Sequence, residues 1–308
     1  MKTQRWNGKP ISEPGIYSNV DISTYHSGKL CVGPSISSSG LRTIDGESEA
    51  HYWDSSPLNP NRAPPKEGEA FVLGRATHHA LLGEPRFLET FVIRPDEAPD
   101  GREWNGNNRS CKKWLAEQAA AKRTVLTSDL VERIKGMALS LGKEPLVRAG
   151  ALNGQIECTM AWPDEETGVW LLARPDVIPT DSGDYVDLKS TTSVEYGALV
   201  KTIGAFGYQQ QAALVAEGHR ILFGREISSF SLYFIESRRP HCARMVTLKQ
   251  EDIALGNKQN RSALRRFVRA MNAGLWPGPG GNQETVQYID ISDRQRLVIE
   301  DRLKMEGE

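Results

Sequence analysis

Apolar positions recur at helical intervals from Glu69 to Leu82 (EAFVLGRATHHALL), which predicts a helix there. Two further helices are expected near 111–123 and 127–141, the second opened by Thr127-Ser128-Asp129 as its cap. From 155 the period changes. Segments 155–162, 169–178 and 184–189 are short and rich in β-branched or aromatic residues. The turn signals Asp164-Glu165-Glu166-Thr167-Gly168 and Thr180-Asp181-Ser182-Gly183-Asp184 separate them, so a three-stranded meander is expected. A helix over 196–217, a strand over 228–236 and a long helix over 249–273 follow. The run WPGPGGNQ (276–283) breaks the chain before a charged helix near 292–306. The first seventy residues, rich in Gly, Pro and Ser, read as loops around a few short elements. Among them, Ser37-Ser38-Ser39 can cap a short helix, while residues 86–110 look irregular.

The order of elements predicts an architecture. A helix over 196–217 is long enough to cross from the third strand to a parallel fourth. The expected fold is α/β, a central mixed sheet flanked by helices. Residues 1–70 form an N-terminal segment packed on the core, 71–275 the core with a helical insertion at 86–150, and 276–308 a C-terminal linker and charged helix.

Composition narrows the class little. The chain has 308 residues, 39% hydrophobic and 25% charged, with net charge −1. No apolar run approaches the roughly 18–20 residues that cross a bilayer, and no signal-peptide stretch opens the chain, so a cytoplasmic protein is expected. Cys31, Cys111, Cys158 and Cys242 are widely spaced and form no CxxC pair, which argues against a zinc or iron–sulfur site. The near-neutral charge still allows a nucleic-acid enzyme with a local basic groove around a carboxylate-rich metal site.

Chemistry concentrates in two short runs. Alternation along Tyr185-Val186-Asp187-Leu188-Lys189 places Asp187 and Lys189 on one face and Leu188 on the other. If the turn at 180–184 pairs this strand with Arg174-Pro175-Asp176-Val177, Asp176 lands beside Asp187. Two carboxylates and an ammonium suit phosphodiester hydrolysis. Hard oxygen ligands hold Mg2+, and the lysine positions water and stabilises the transition state.

With the runs around them, these residues resemble the RecE-type (exodeoxyribonuclease VIII) branch of the PD-(D/E)xK nucleases, related to the RecB nuclease domain. GRATHHALLGEP (74–85) resembles that family's glycine-x-alanine-x-histidine helix, ARPDVI (173–178) its Arg-Pro-Asp strand, and VDLKSTT (186–192) its Asp-x-Lys strand. GYQQQAALVAEG (207–218) resembles the following helix, with Tyr208 and Gln211 on motif positions. In the entry segment YHSGKLCVGPSISSSGLRTI (25–44), Ser37, Ser39 and Leu41 meet a Ser-x-Ser-x-Leu pattern. The five blocks stand in the family's order. One departs from its QxxxY pattern, with Val215 where tyrosine is expected.

The resemblance implies a restriction-endonuclease-like fold in which His78, Asp176, Asp187 and the Leu188 carbonyl hold one or two divalent ions. His79 is the alternative to His78, and an imidazole ligand suits Mn2+ at least as well as Mg2+. It also implies 5′→3′ digestion of linear double-stranded DNA, leaving 3′ tails for a single-strand annealing protein in phage or prophage recombination, with a homo-oligomer as the processive form.

Several residues stay open between two readings. Glu157 either joins the catalytic groups or lies on a solvated strand face. Arg174 either grips phosphate or forms a structural ion pair. Lys258, Arg261, Arg265 and Arg269, with Arg266 close by, form either a phosphate-contacting stripe or a solvated helix face. Trp104, Trp114 and Trp170 either stack bases or pack internally. Thr191 and Thr192 are expected at the cap of the next helix. Rival activities are an endonuclease or a single-strand exonuclease of the same superfamily, and a catalytically silent DNA-binding or assembly protein.

Overall fold

The computed structural model describes residues 2–63, 68–84, 87–281, 286 and 288–307. Pro85, which closes the histidine-helix run, and Asn282-Gln283, which close the WPGPGGNQ run, lie outside them.

The hairpin Thr159–Pro163 and Trp170–Ala173 lies inside a five-stranded sheet. Its turn is tied by Asp164, whose carboxylate accepts the Thr167 N–H at 2.9 Å. The expected loops of the N-terminal region prove to include strands. Gly15–Ser18 pairs antiparallel with Thr159–Pro163, and Ser35–Ser37 pairs parallel with Trp170–Ala173. Three or four residues are too few to display a period, so only the partner strand reveals them. The short helix arrives as Ser38–Gly46, but Ser37 does not cap it: its Oγ lies 3.0 Å from that of Ser39.

The second sheet carries the predicted crossover. Asp184–Thr191 and Ser229–Glu236 run parallel in register from Asp184↔Ser229 to Thr191↔Glu236. Ala243–Thr247, absent from the sequence reading, adds an antiparallel edge. The connection is two helices, not one: Tyr196–Phe206 and Tyr208–Phe223. Gly207 between them sits at φ +63°, and that left-handed residue redirects the chain. Gln250–Ala273 packs on the second of these helices through Gly256, where any Cβ would collide with the Gln209 carbonyl. Met160, Trp162, Leu171, Leu214, Leu232, Leu264 and Phe267 are buried together in the main core.

The expected meander is broken. Glu157, at φ +52°, splits its first strand into Gln155–Ile156 and Thr159–Pro163. Past Pro175, which has no N–H to give a ladder, Val177–Ile178 pairs with Gln155–Ile156 and not with Asp184–Thr191.

Glu69–Leu81 is the predicted helix, and its Leu73 and Ala76 pack with Phe91, Leu126, Leu130 and Ile134 of the insertion. That insertion is more regular than expected. Phe91–Ile93 and Thr124–Leu126 form a parallel pair, with the helices Arg109–Ala120 and Ser128–Leu141 around it. At the C-terminus, Asp293–Glu306 is a helix opened by a capping box between Ser292 and Gln295, with no buried residue. No helix among the described residues is long and apolar enough to cross a membrane.

Candidate active site

The Asp184–Thr191 strand supplies the base of the site. Leu188 and Val186 are buried with Met137, Leu141, Tyr233 and Ile235, which turns Asp187 and Lys189 to the opposite face. Asp176 does not reach them through a ladder. Its Oδ2 accepts the Leu188 N–H at 2.6 Å, so side chain to backbone replaces the expected strand pairing. In a strand a residue's N–H and C=O leave on one edge, so the Leu188 carbonyl also faces the Asp176 side.

His78 comes from the Glu69–Leu81 helix, its Nδ1 3.3 Å from Asp176 Oδ1. His79 turns away, edge-on to Phe87 and Phe91 at 5.5 Å between ring centres. Glu157 reaches the site because its left-handed backbone interrupts the strand, and its N–H bonds the Asp176 carbonyl at 3.0 Å. One ligand atom from each of His78, Glu157 and Asp176 lies within 4.8 Å of the others. Arg174 partners Glu157, Nε to Oε2 at 2.6 Å, and also donates to the Val20 carbonyl at 2.7 Å. It thereby ties the N-terminal region to the site.

Asp187 has two partners. Lys189 Nζ contacts its Oδ2, and Gln211 Nε2 donates to its Oδ1 at 2.7 Å. The Lys189 ammonium also stands 5.1 Å from the centre of the Tyr208 ring. Val215, where the resemblance would put tyrosine, is buried in the core.

Charge coupling decides the protonation of this cluster. Burial alone would lower the His78 pKa, but the charge and hydrogen bond of Asp176 raise it to about 9. Burial would raise Asp176, yet His78, Lys189 and the Leu188 N–H hold it below the usual carboxylate value. Burial and the neighbouring Asp176 charge push Asp187 up, against Lys189. Glu157 rises to about 7, mainly through burial and Asp176, with Arg174 opposing. Lys189 is raised as well, because Asp187 and Asp176 outweigh its burial, so it is an ammonium at neutral pH.

One imidazole and several carboxylates, with donor atoms this close, fit a hard divalent ion of the Mg2+ or Mn2+ kind. His78, Glu157 and Asp176 are the residues placed to hold it, with Asp187 and the Leu188 carbonyl alongside.

The arginine stripe lies elsewhere. Arg261 pairs with Asp164 and Glu166, Arg265 with Glu166 at the surface, and Arg266 with Glu49; Lys258 and Arg269 are solvent-exposed. Trp170 is buried in the N-terminal cluster, and Trp104 meets Trp114 edge-on at 5.4 Å. Thr191 bonds the Ser193 carbonyl and caps nothing; the next helix has Glu195 at its N-cap. Arg42 is the group that sequence reasoning passed over. It donates to the Phe206 carbonyl at 2.7 Å, and its charge couples to Tyr208 and Asp187. Its signal was its place directly after Leu41 of the entry motif.

A sheet flanked by helices, with Asp176 at a broken strand end and Asp187-x-Lys189 on the next strand, defines the restriction-endonuclease-like PD-(D/E)xK class. The family model for "PDDEXK-like domain of unknown function (DUF3799)" matches residues 37–288, and the chain belongs to that family. No curated protein matches the chain. Among solved structures, the "Putative exonuclease" of Eubacterium rectale is similar at a TM-score of 0.60 and 14% identity, over 90% of this chain and 98% of that one. A phage-related exonuclease from Haemophilus somnus 129PT matches 65% of this chain and 94% of its own, at a TM-score of 0.31 and 11% identity. The first of these likenesses supports the fold.

Proposed function

We propose that this protein is a divalent-metal-dependent deoxyribonuclease that digests linear double-stranded DNA from its ends, 5′→3′, leaving 3′ single-stranded tails. The close cluster of His78, Glu157 and Asp176, joined through Leu188 to the strand that carries the Asp187–Lys189 pair, carries the reading. Mg2+, or Mn2+ in its place, would supply charge neutralisation at the scissile phosphate and a more acidic bound water. Lys189, paired with Asp187, orients the attacking water and offsets negative charge on the phosphate. Gln211 and Leu188 fix the two aspartates by hydrogen bonds, so neither carboxylate has to reorganise during the reaction. Polarity, the annealing-protein partner and a processive homo-oligomer follow from the resemblance to the RecE-type enzymes.

Digestion of a 5′-end-labelled linear duplex, with and without Mg2+ or Mn2+, tests this. Wild type should release labelled mononucleotide first, only with metal. Lys189→Ala should cut at least about 100-fold more slowly, with its fold checked by circular dichroism. Nicking of closed circles would move the assignment to an endonuclease. Intact DNA under every metal tried would make the protein a binder and not an enzyme.

A further inference from the structure

Tyr196–Phe206 is the helix between the strand that carries Lys189 and the helix that carries Tyr208 and Gln211. Its sequence, YGALVKTIGAF, is the composition of a buried helix, yet Leu199 is its one buried residue. Tyr196 is 69% exposed, Val200 54% and Phe206 60%. The helix has one charged residue, the exposed Lys201, and no carboxylate. The nearest carboxylate in sequence, the exposed Glu195, caps the opposite end from Phe206, so the Phe206 end offers apolar surface and the Lys201 cation, which suits a polyanion with flat apolar parts.

The geometry at its end is specific. The Phe206 ring is stacked on the Tyr208 ring, 5.8 Å between centres and 19° from parallel. On its inner side Tyr208 meets the Lys189 ammonium at 5.1 Å and, tilted, the Phe234 ring at 6.1 Å. Arg42 holds the Phe206 carbonyl and so fixes the last turn of the helix. A series of stacked groups thus leads from open solvent to the lysine of the site, and its outermost member has a free face. Every nucleobase presents a π-face, and aromatic stacking of this kind is how strands are held without regard to sequence.

We propose that Phe206 is a stacking platform for a nucleobase of the strand being cut, placing the adjoining phosphate against Lys189, with Lys201 beside the sugar–phosphate backbone. This deepens the nuclease reading and rests on it.

The test is a binding cycle in Mg2+ with a phosphorothioate single-stranded oligonucleotide, whose backbone resists hydrolysis. One version carries all its bases and the other carries abasic positions along the terminal stretch. Wild type, Phe206→Ala and Phe206→Trp are titrated by fluorescence anisotropy. Phe206→Ala should bind the full oligonucleotide about tenfold more weakly, and Phe206→Trp should restore affinity. On the abasic version, wild type and Phe206→Ala should be equal. Wild-type affinity in Phe206→Ala, or the same loss on both oligonucleotides, would overturn the proposal. So would a change of sedimentation coefficient without a base-dependent loss, which would assign the face to a second copy of the chain. Hydrolysis of ordinary DNA, measured in parallel, separates the two readings. A base-dependent cycle without hydrolysis sinks the nuclease alone, and hydrolysis without the cycle sinks the platform alone.

Discussion

Asp187 is the residue on which the site's charge balance turns. It is buried between the Lys189 ammonium and the Gln211 amide, and a second carboxylate, Asp176, raises its pKa further. A supporting hydrogen bond of this kind commonly carries a 10- to 100-fold effect on metal affinity or activity. Gln211→Ala should therefore lower Mn2+ affinity or turnover by about that factor, read by calorimetric titration and by steady-state digestion. Gln211→Glu should do worse, because it sets a third carboxylate against Asp187. Unchanged metal affinity and turnover in both variants would show that Gln211 does not position Asp187. Asp187, Lys189 and Leu188 were legible from the period of two along one strand. Glu157 was not. Its entry depends on a left-handed backbone that no residue pattern announces, since glutamate rarely takes it.

At the scale of the element, the break at Gly207 divides one expected helix into two and aims Tyr208 and Gln211 at the site. An added Cβ there would lie 2.6 Å from Gln210 Oε1 and 3.0 Å from Arg42 Cδ, at a φ that L-residues avoid. Gly207→Ala should cost about 1–3 kcal/mol, visible as a lower denaturant midpoint, and should lower activity beyond what the melt explains. Helical periodicity ran through this position because both halves share it; glycine permits a break without requiring one. Gly256 has a packing reason. Alanine there would press on the Gln209 carbonyl and cost about 1–3 kcal/mol by overpacking, checked by the same melt.

At the scale of the molecule, ion pairs hold the long C-terminal helix of the core to distant parts of the chain. Arg261 joins it to Asp164 in the hairpin turn, and Arg266 joins it to Glu49 near the N-terminus. Burial alone would raise the Asp164 pKa, but Arg261 and Thr167 hold it below the usual value; Arg266 lowers Glu49. A depressed carboxylate contributes stability that is present above its unfolded pKa and lost as pH falls through the folded one. Urea midpoints should therefore drop from pH 7 to pH 3. In Arg261→Met the pH 7 midpoint should already be lower, by about 1–3 kcal/mol, since Asp164 stays buried without its partner. The further drop on acidification should be smaller than in wild type. Equal pH slopes would mean that this pair does not couple to folding. The same pairing answers the question of the basic stripe: three of its arginines neutralise the protein's own carboxylates.

Sequence by itself determined the α/β class and the parallel crossover, and it named Asp176, Asp187 and Lys189 as the candidate site. Those depend on short-range periodicity, turn residues and local chemistry, all of which the order of residues expresses directly. Tertiary structure alone decided that Asp176 meets Leu188 by a side-chain hydrogen bond, that Glu157 joins His78, and that Arg42 holds the Phe206 carbonyl. It also decided which cations are spent on internal pairs and which apolar helix remains uncovered beside the lysine. The physical reason is common to all of these. Each depends on which surfaces the folded chain brings together across large sequence separations, and neighbours in sequence do not specify that.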